Sequence, residues 1–458
     1  MKRHYKKFTL FILAIFLVVS GFGCKGVNCG NSQEFKKVTL QYWGVWDSSA
    51  NIIPLIREYE KAHPTVKVEY KQLRFEEYER KLLEAWADDR GPDVFALPVS
   101  WLKEYEHRLA PMPSNTKVPV YELQGAIRSE MVTTLKTFSG LSPYDVNKLF
   151  VPIVDDNVVI NNKVYGLPYA LDTLVTFYNS NILANQNIPE PIKDFHDLIE
   201  QTPKITTSRD GSSILQSAVA LGGTDNIPVF FDIFSSIMLQ NEVNVKGDFF
   251  DPLDDKASAQ RMAEVFNFYA DFAKPGRASY SWNADMDNAF DLFINGRLAY
   301  FFGYSYHANE IRERGVSFEW DVTNFPQARG ASETKYYADY WVNVVPKKSK
   351  STNVAWNFVQ TTATDKGLIK GYLNANKKPT ALRSLVNEQL NNNDVRIFAE
   401  QVMTADNWYK GYDQPSAERY TKEIIDGLLD GTLYLDDRGS TLELYVSRIN
   451  KTYSKIDE

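Results

Sequence analysis

The sequence predicts an α/β protein built on mainly parallel sheet, and three observations carry that prediction. Past residue 37, strand-type alternation and helix-type apolar spacing follow one another in the order β-α-β-α-β. That order requires crossover helices on the faces of a parallel sheet. The chain has 458 residues, enough for two domains or more with separate cores. Charged residues make up 24% and hydrophobic residues 44%, the balance of an ordinary globular protein.

The N-terminus stands apart from this pattern. Lys2, Arg3, Lys6 and Lys7 precede an apolar run over residues 8–19, the layout of an export signal. The run is too short to span a membrane, which takes about twenty apolar residues. Small residues follow, and then Cys24. This resembles a bacterial lipoprotein processing site and makes Cys24 the expected lipidation point, with Cys29 as the alternative. Residues 1–24 are then a signal peptide, and the polar, Gly/Asn-rich residues 25–34 a tether. An uncleaved signal anchor is the competing reading.

Residues 38–43 (VTLQYW) alternate as a first strand, and 44–49 (GVWDSS) form a loop. Ile52, Leu55, Ile56 and Tyr59 make a helical stripe, and VKVEY at 66–70 is the second strand. Residues 75–87 form a second amphipathic helix. After the turn signal Gly91-Pro92, DVFAL at 93–97 is the third strand. Ligands of such sheets sit beyond the carboxyl ends of the strands, so loops 44–49 and 98–101 share that edge. Residues 121–137 are read as a helix within an inserted segment, 121–150. Further helices are expected at 231–239, 256–272, 354–362 and 417–429.

Composition narrows the function. A net charge of −7 without a basic cluster argues against nucleic acid. Five scattered histidines and two N-terminal cysteines leave little for a metal site, and no metal or cofactor is expected. No nucleophile elbow, H-E-x-x-H, phosphate loop or dinucleotide fingerprint occurs, so no catalytic residue is assigned. Aromatic residues reach 14%, with 26 Tyr, 27 Phe and 9 Trp, material for ring stacking as well as for cores. One stretch concentrates the question. KVYGLPYALDTLVTFYN, residues 163–179, is almost wholly apolar yet holds Asp172. A carboxylate there needs hydrogen-bond donors, from the protein or from a ligand's hydroxyls.

NIIPLIREYEKAHPTVKVEY and FEEYERKLLEAWADDRGPDVFALPVSWLKEYEHRLAPM resemble the start of the bacterial extracellular solute-binding proteins of ABC importers. The group containing maltose-binding protein is the nearest. KVYGLPYALDTLVTFYNSNIL, AFDLFINGRLAYFFGYSYHANEI and YYADYWVNVVPKKSKSTNVAWNFVQTTAT are similar to it in the same order, so the resemblance runs from about Val38 to Ser384. It implies a two-lobed periplasmic-binding-protein fold joined by a multi-crossing hinge. Residues 35–170 and 344–392 would form lobe one; residues 171–343 and 393–458 would form lobe two.

The resemblance also implies an interlobe carbohydrate site. Sugar recognition uses aromatic faces and planar polar groups. Expected ligand contacts are Trp43, Trp46 and Asp47 in the first loop, Ser100 and Trp101 in the second, and Asp172 at the first crossing. Tyr304 and Tyr306 follow, only one of which need face the cleft if they lie on a strand. Asp339, Tyr340 and Trp341 lie at a later crossing, and Trp408 and Tyr412 in the loop WYKGYDQPS. Core packing is the competing reading for the tryptophans, and Trp282 with Asn283 is read as surface loop. The implied protein is a monomeric, lipid-anchored binder that delivers a mono- or oligosaccharide to permease subunits by hinge closure. A secreted glycan-active enzyme and a ligand sensor are the alternatives.

Overall fold

In the computed structural model, residues 35–125, 130–209, 213–243, 256–434 and 440–454 are described. The signal-like segment, Cys24, Cys29 and the tether lie outside them. The body of the chain, from Val38 on, is a unit separate from the residues before it.

The strand Val38–Gly44 pairs in parallel along its whole length with Val66–Gln72, and also with the strand Val94–Pro98. The crossover helices form for the reasons their sequences give. Ser49–Ala62 buries Ile52, Leu55, Ile56 and Tyr59. Phe75–Ala87 buries Tyr78, Leu82 and Trp86, one stripe at four-residue spacing. Burial of such side chains contributes roughly 1.5–3 kcal/mol each. The helices expected further on are present at Phe230–Gln240, Lys256–Asp271, Thr352–Thr364 and Gln414–Asp430.

Each five-stranded sheet keeps a parallel core and also carries antiparallel pairs. In the first sheet, Trp341–Val344 runs antiparallel to Val94–Pro98, and Leu167–Pro168 antiparallel to it in turn. In the second sheet only Ile214–Val219 and Leu298–Gly303 pair in parallel. Val175–Asn179 lies antiparallel to both Leu298–Gly303 and Trp320–Asn324. These reversed strands are the ones adjoining passages between the two halves. They arrive from the other half rather than through a local crossover helix, so nothing forces them parallel.

The segment expected to be helical over 121–137 is instead part of a hairpin, Asn115–Gln124 paired with Glu130–Ser139. Thr116, Val118 and Val120 are buried at a period of two, and Pro119 sits inside the run. β-branched residues and proline both disfavour helix here.

Two cores form. One gathers Leu40, Phe95, Leu167, Leu171, Ala338, Val342 and Trp356; the other gathers Leu174, Phe177, Val219, Phe234, Phe301, Tyr337 and Trp408. The chain therefore changes core between Leu171 and Leu174, and again between Tyr337 and Ala338. The second passage precedes the expected boundary at residue 343, because Tyr340 and Val342 already pack in the first core. Further on the chain alternates: Val386 packs in the first core, Phe398 in the second, Val402 and Ala405 in the first, and Trp408 in the second. At these passages three short strands lie side by side, Ala405–Asp406, Tyr336–Asp339 and Asp172–Thr173.

Candidate ligand-binding cleft

A cleft of about 820 Å3 is lined by residues from both cores. On the first side, Tyr42 and Gly44 face it from the central strand. Gly44 is required there: a Cβ would come within 2.4 Å of the Tyr70 hydroxyl. That hydroxyl donates to the Asp47 carbonyl at 2.5 Å and holds the loop. The Asp47 carboxylate accepts from the Tyr372 hydroxyl at 2.8 Å and from the Lys378 ammonium at 3.0 Å.

Four rings form a panel beside Asp47. Trp46, 62% exposed, stacks on Phe75, with ring centres 5.8 Å apart and planes at 24°. Phe75 lies 6.1 Å from Trp101, and Trp341 sets its edge against Trp46 at 90°. Trp101 is held by stacking on Tyr105. Large apolar rings left open beside a cavity offer flat faces to a ligand.

The joining strands and the second side are carboxylate-rich. Asp172 sits at the start of the helix Ser305–Arg314, where the Ser305 N–H reaches both its oxygens at 3.1 and 3.2 Å and the Ser305 hydroxyl donates at 2.6 Å. Thr173 N–H adds a fourth bond at 3.0 Å. The demand for donors is thus met by protein groups. Burial pushes the Asp172 carboxyl up to about 6, against the pull of those bonds. Asp232, on the helix Phe230–Gln240, accepts from the Tyr304 hydroxyl at 2.8 Å and from Tyr337. Asp339 is raised by burial first, and then by the neighbouring charges of Asp232 and Asp172. Glu418 is pushed up to about 7 by burial and by Asp232.

Of the residues singled out in the sequence, Trp46, Asp47, Ser100, Trp101, Asp172, Tyr304, Tyr306, Asp339, Tyr340 and Trp341 all line this one cleft. Both tyrosines of the 304–306 pair do so, because they cap and open a helix rather than alternating along a strand. Their rings stack, 6.0 Å apart. The Tyr340 hydroxyl is already engaged by Asn157 and by the Ile153 carbonyl.

Three residues do not line it. Trp43 neighbours Tyr42 and Gly44 on the strand and therefore points to the opposite face, where the Lys71 ammonium lies 4.7 Å above its ring. Trp408 is a core residue, 1% exposed, donating to the Val243 carbonyl. Tyr412 packs beneath the Lys103 ammonium, and from that loop region Gln414 and Pro415 reach the cleft instead. Trp282, expected on the surface, is fully buried and bonds Asn226 at 2.8 Å.

Sequence reasoning missed Phe75, Lys378, Tyr372, Asp232 and Glu418. Asp232 carries the same signal as Asp172, a lone carboxylate in an apolar run (FFDIF). Phe75 extends the buried stripe of Tyr78, Leu82 and Trp86 by one step, and so is indistinguishable from core.

Two cores, the chain's repeated passages between them and a ligand-sized cleft define the two-lobed periplasmic binding-protein fold. Residues 54–393 match the bacterial extracellular solute-binding protein family, and the chain belongs to that family. It is similar to a galactooligosaccharide-binding protein of Bacillus subtilis, 21% identical over 389 residues, covering 84% of this chain and 82% of the relative. It is also similar to a maltodextrin-binding protein of the same organism, 23% identical over 403 residues, covering 84% of each. Among solved structures, the cyclic α-maltosyl-1,6-maltose binding protein from Arthrobacter globiformis superimposes with a TM-score of 0.70 at 13% identity, covering 91% of this chain and 99% of that one. Among the described residues no helix is long and apolar enough to cross a membrane.

Proposed function

We propose that this protein captures a mono- or oligosaccharide in the cleft and delivers it to the permease subunits of an ABC importer. The observation that carries the reading is the Trp46–Phe75–Trp101–Trp341 panel on one lobe facing a carboxyl wall, Asp232 from the other lobe with Asp172 and Asp339 from the strands that join the two. Ring faces take the apolar side of a pyranose, and planar carboxyl groups take paired hydroxyls. The names of the similar proteins, which bind galactooligosaccharide and maltodextrin, favour the same substrate class. A ligand that touches both lobes stabilises the closed arrangement by its differential contacts, so residues from both sides contribute to affinity. The chain acts as a monomer without turning its ligand over, anchored outside the cell through lipidated Cys24 and the tether at 25–34.

The test is a thermal-shift and scattering series on the purified mature protein with neutral and modified saccharides. A saccharide that raises the melting temperature and contracts the particle supports the reading. A response only to amino acids or polyamines, or release of hydrolysis products, overturns it. Intact mass of the membrane-fraction protein tests the anchor.

A further inference from the structure

The saccharide reading leaves one property of the cleft unused, its charge. The first side contributes two cations. Both are engaged: Arg80 bonds Glu84 at 2.7 Å, and Lys378 bonds Asp47 at 3.0 Å. The second side contributes Asp232 and Glu418, the joining strands contribute Asp172 and Asp339, and none of the lining residues in either place is Lys, Arg or His.

These four carboxyl groups are not equally provided for. Asp172 has donors from Ser305 and Thr173, and Asp232 has two tyrosine hydroxyls. Asp339 receives only the backbone N–H of Tyr340, and among the described residues no donor meets Glu418. Both are pushed toward their neutral forms by burial first and then by the neighbouring carboxylates, and Asp339 faces Asp172 directly across paired strands, so full ionisation of the cluster calls for a positive charge from outside. Neutral hydroxyls give such a cluster hydrogen bonds without relieving the repulsion. A protonated primary amine supplies both the charge and up to three donors. The facing panel is consistent with this, since indole rings attract a cation placed over their faces.

We propose that the ligand is an amino-bearing saccharide, its protonated amino group seated among these four carboxyl groups, where Asp339 and Glu418 have acceptor oxygens to spare, while its rings lie along the aromatic panel. The proposal rests on the saccharide reading and narrows it.

The experiment is calorimetric titration of the mature protein at pH 7.5. Matched di- and trisaccharides on α-1,4-glucan, β-1,4-glucan and galactan backbones are used, each in its hydroxyl, 2-amino and 2-acetamido form, with spermidine as a non-sugar cation. The expected result is an amino member that binds at least tenfold tighter than its hydroxyl and acetamido counterparts. That preference should fall below threefold in the Asp339→Asn, Glu418→Gln double variant. Removing repulsion should leave the unliganded double variant melting no lower than wild type, so loss of preference would not reflect misfolding. A neutral form that binds as tightly as its amino counterpart overturns the proposal and leaves the saccharide reading standing. A preference that survives in the double variant overturns the seat assigned to the amine. Spermidine binding more tightly than every saccharide, or no saccharide binding at all, overturns the saccharide reading and this proposal with it.

Discussion

Asp172 and Asp339 are direct cross-strand partners in the three-stranded sheet where the chain passes between lobes. Like charges placed opposite each other destabilise an antiparallel pair. Here the opposition is tolerated because Asp172 is held by the start of the helix that follows Tyr304, and because Asp339 is pushed toward its neutral form. Stability and the proposed recognition therefore meet in the same two side chains.

Replacing Asp172 separates the two roles. Asp172→Ala leaves the Ser305 N–H, the Ser305 hydroxyl and the Thr173 N–H without their acceptor. The expected loss is about 1–3 kcal/mol in denaturant unfolding, the cost of partnerless buried donors, together with weaker ligand binding. Asp172→Asn keeps an acceptor oxygen and should recover part of the stability.

Raised carboxyl groups predict a pH dependence with a definite sign. Glu418 titrates near 7 in the folded chain, and Asp339 is also raised, whereas unfolded carboxyls ionise near 4. The folded state then holds protons that the unfolded state has released, so stability falls as pH rises. Buried His307, lowered to about 3, works in the opposite direction, but only below its unfolded value near 6.5. The unliganded melting temperature should therefore decline between pH 6.5 and 8. The Asp339→Asn, Glu418→Gln double variant should flatten that decline.

Trp43 and Trp46, three residues apart, should behave oppositely. Trp46→Ala removes an exposed ring from the panel and should weaken saccharide binding by tenfold or more, with little change in unfolding midpoint. Trp43→Ala empties a core position, 8% exposed, and should cost about 3–5 kcal/mol. Equilibrium unfolding and titration of both variants distinguish the two.

Gly44→Ala tests the support of the first loop. The added methyl collides with the Tyr70 hydroxyl and breaks its bond to the Asp47 carbonyl. Overpacking of this kind costs about 1–3 kcal/mol. Affinity should fall together with stability, because the misplaced loop carries Trp46 and Asp47.

Periodicity made the first half of the fold legible. The stripe of Ile52, Leu55, Ile56 and Tyr59 and the alternation around Val38 and Val66 each have one simple reading, and the chain adopts it. What escaped depends on partners distant in sequence. Val175–Asn179 reads as a buried strand, but its direction is set by neighbours beyond residue 297. The hairpin at 115–139 escaped as well, although its β-branched residues pointed away from a helix. In the cleft, the rule that a carboxylate in an apolar run needs a reason located Asp172 and would have located Asp232. Trp408 shows the converse. An aromatic, glycine-containing loop looks like a lid, yet its largest ring plugs the core and leaves Gln414 and Pro415 at the cavity.

The narrow sheet joining Asp406, Tyr337 and Thr173 also decides what the cavity is offered. Its three segments are tied edge to edge by backbone bonds, and a slip of one residue would turn Asp172 and Asp339 away from the cavity. The acidic character of the cleft is therefore a matter of strand register, fixed by a pairing only two residues long.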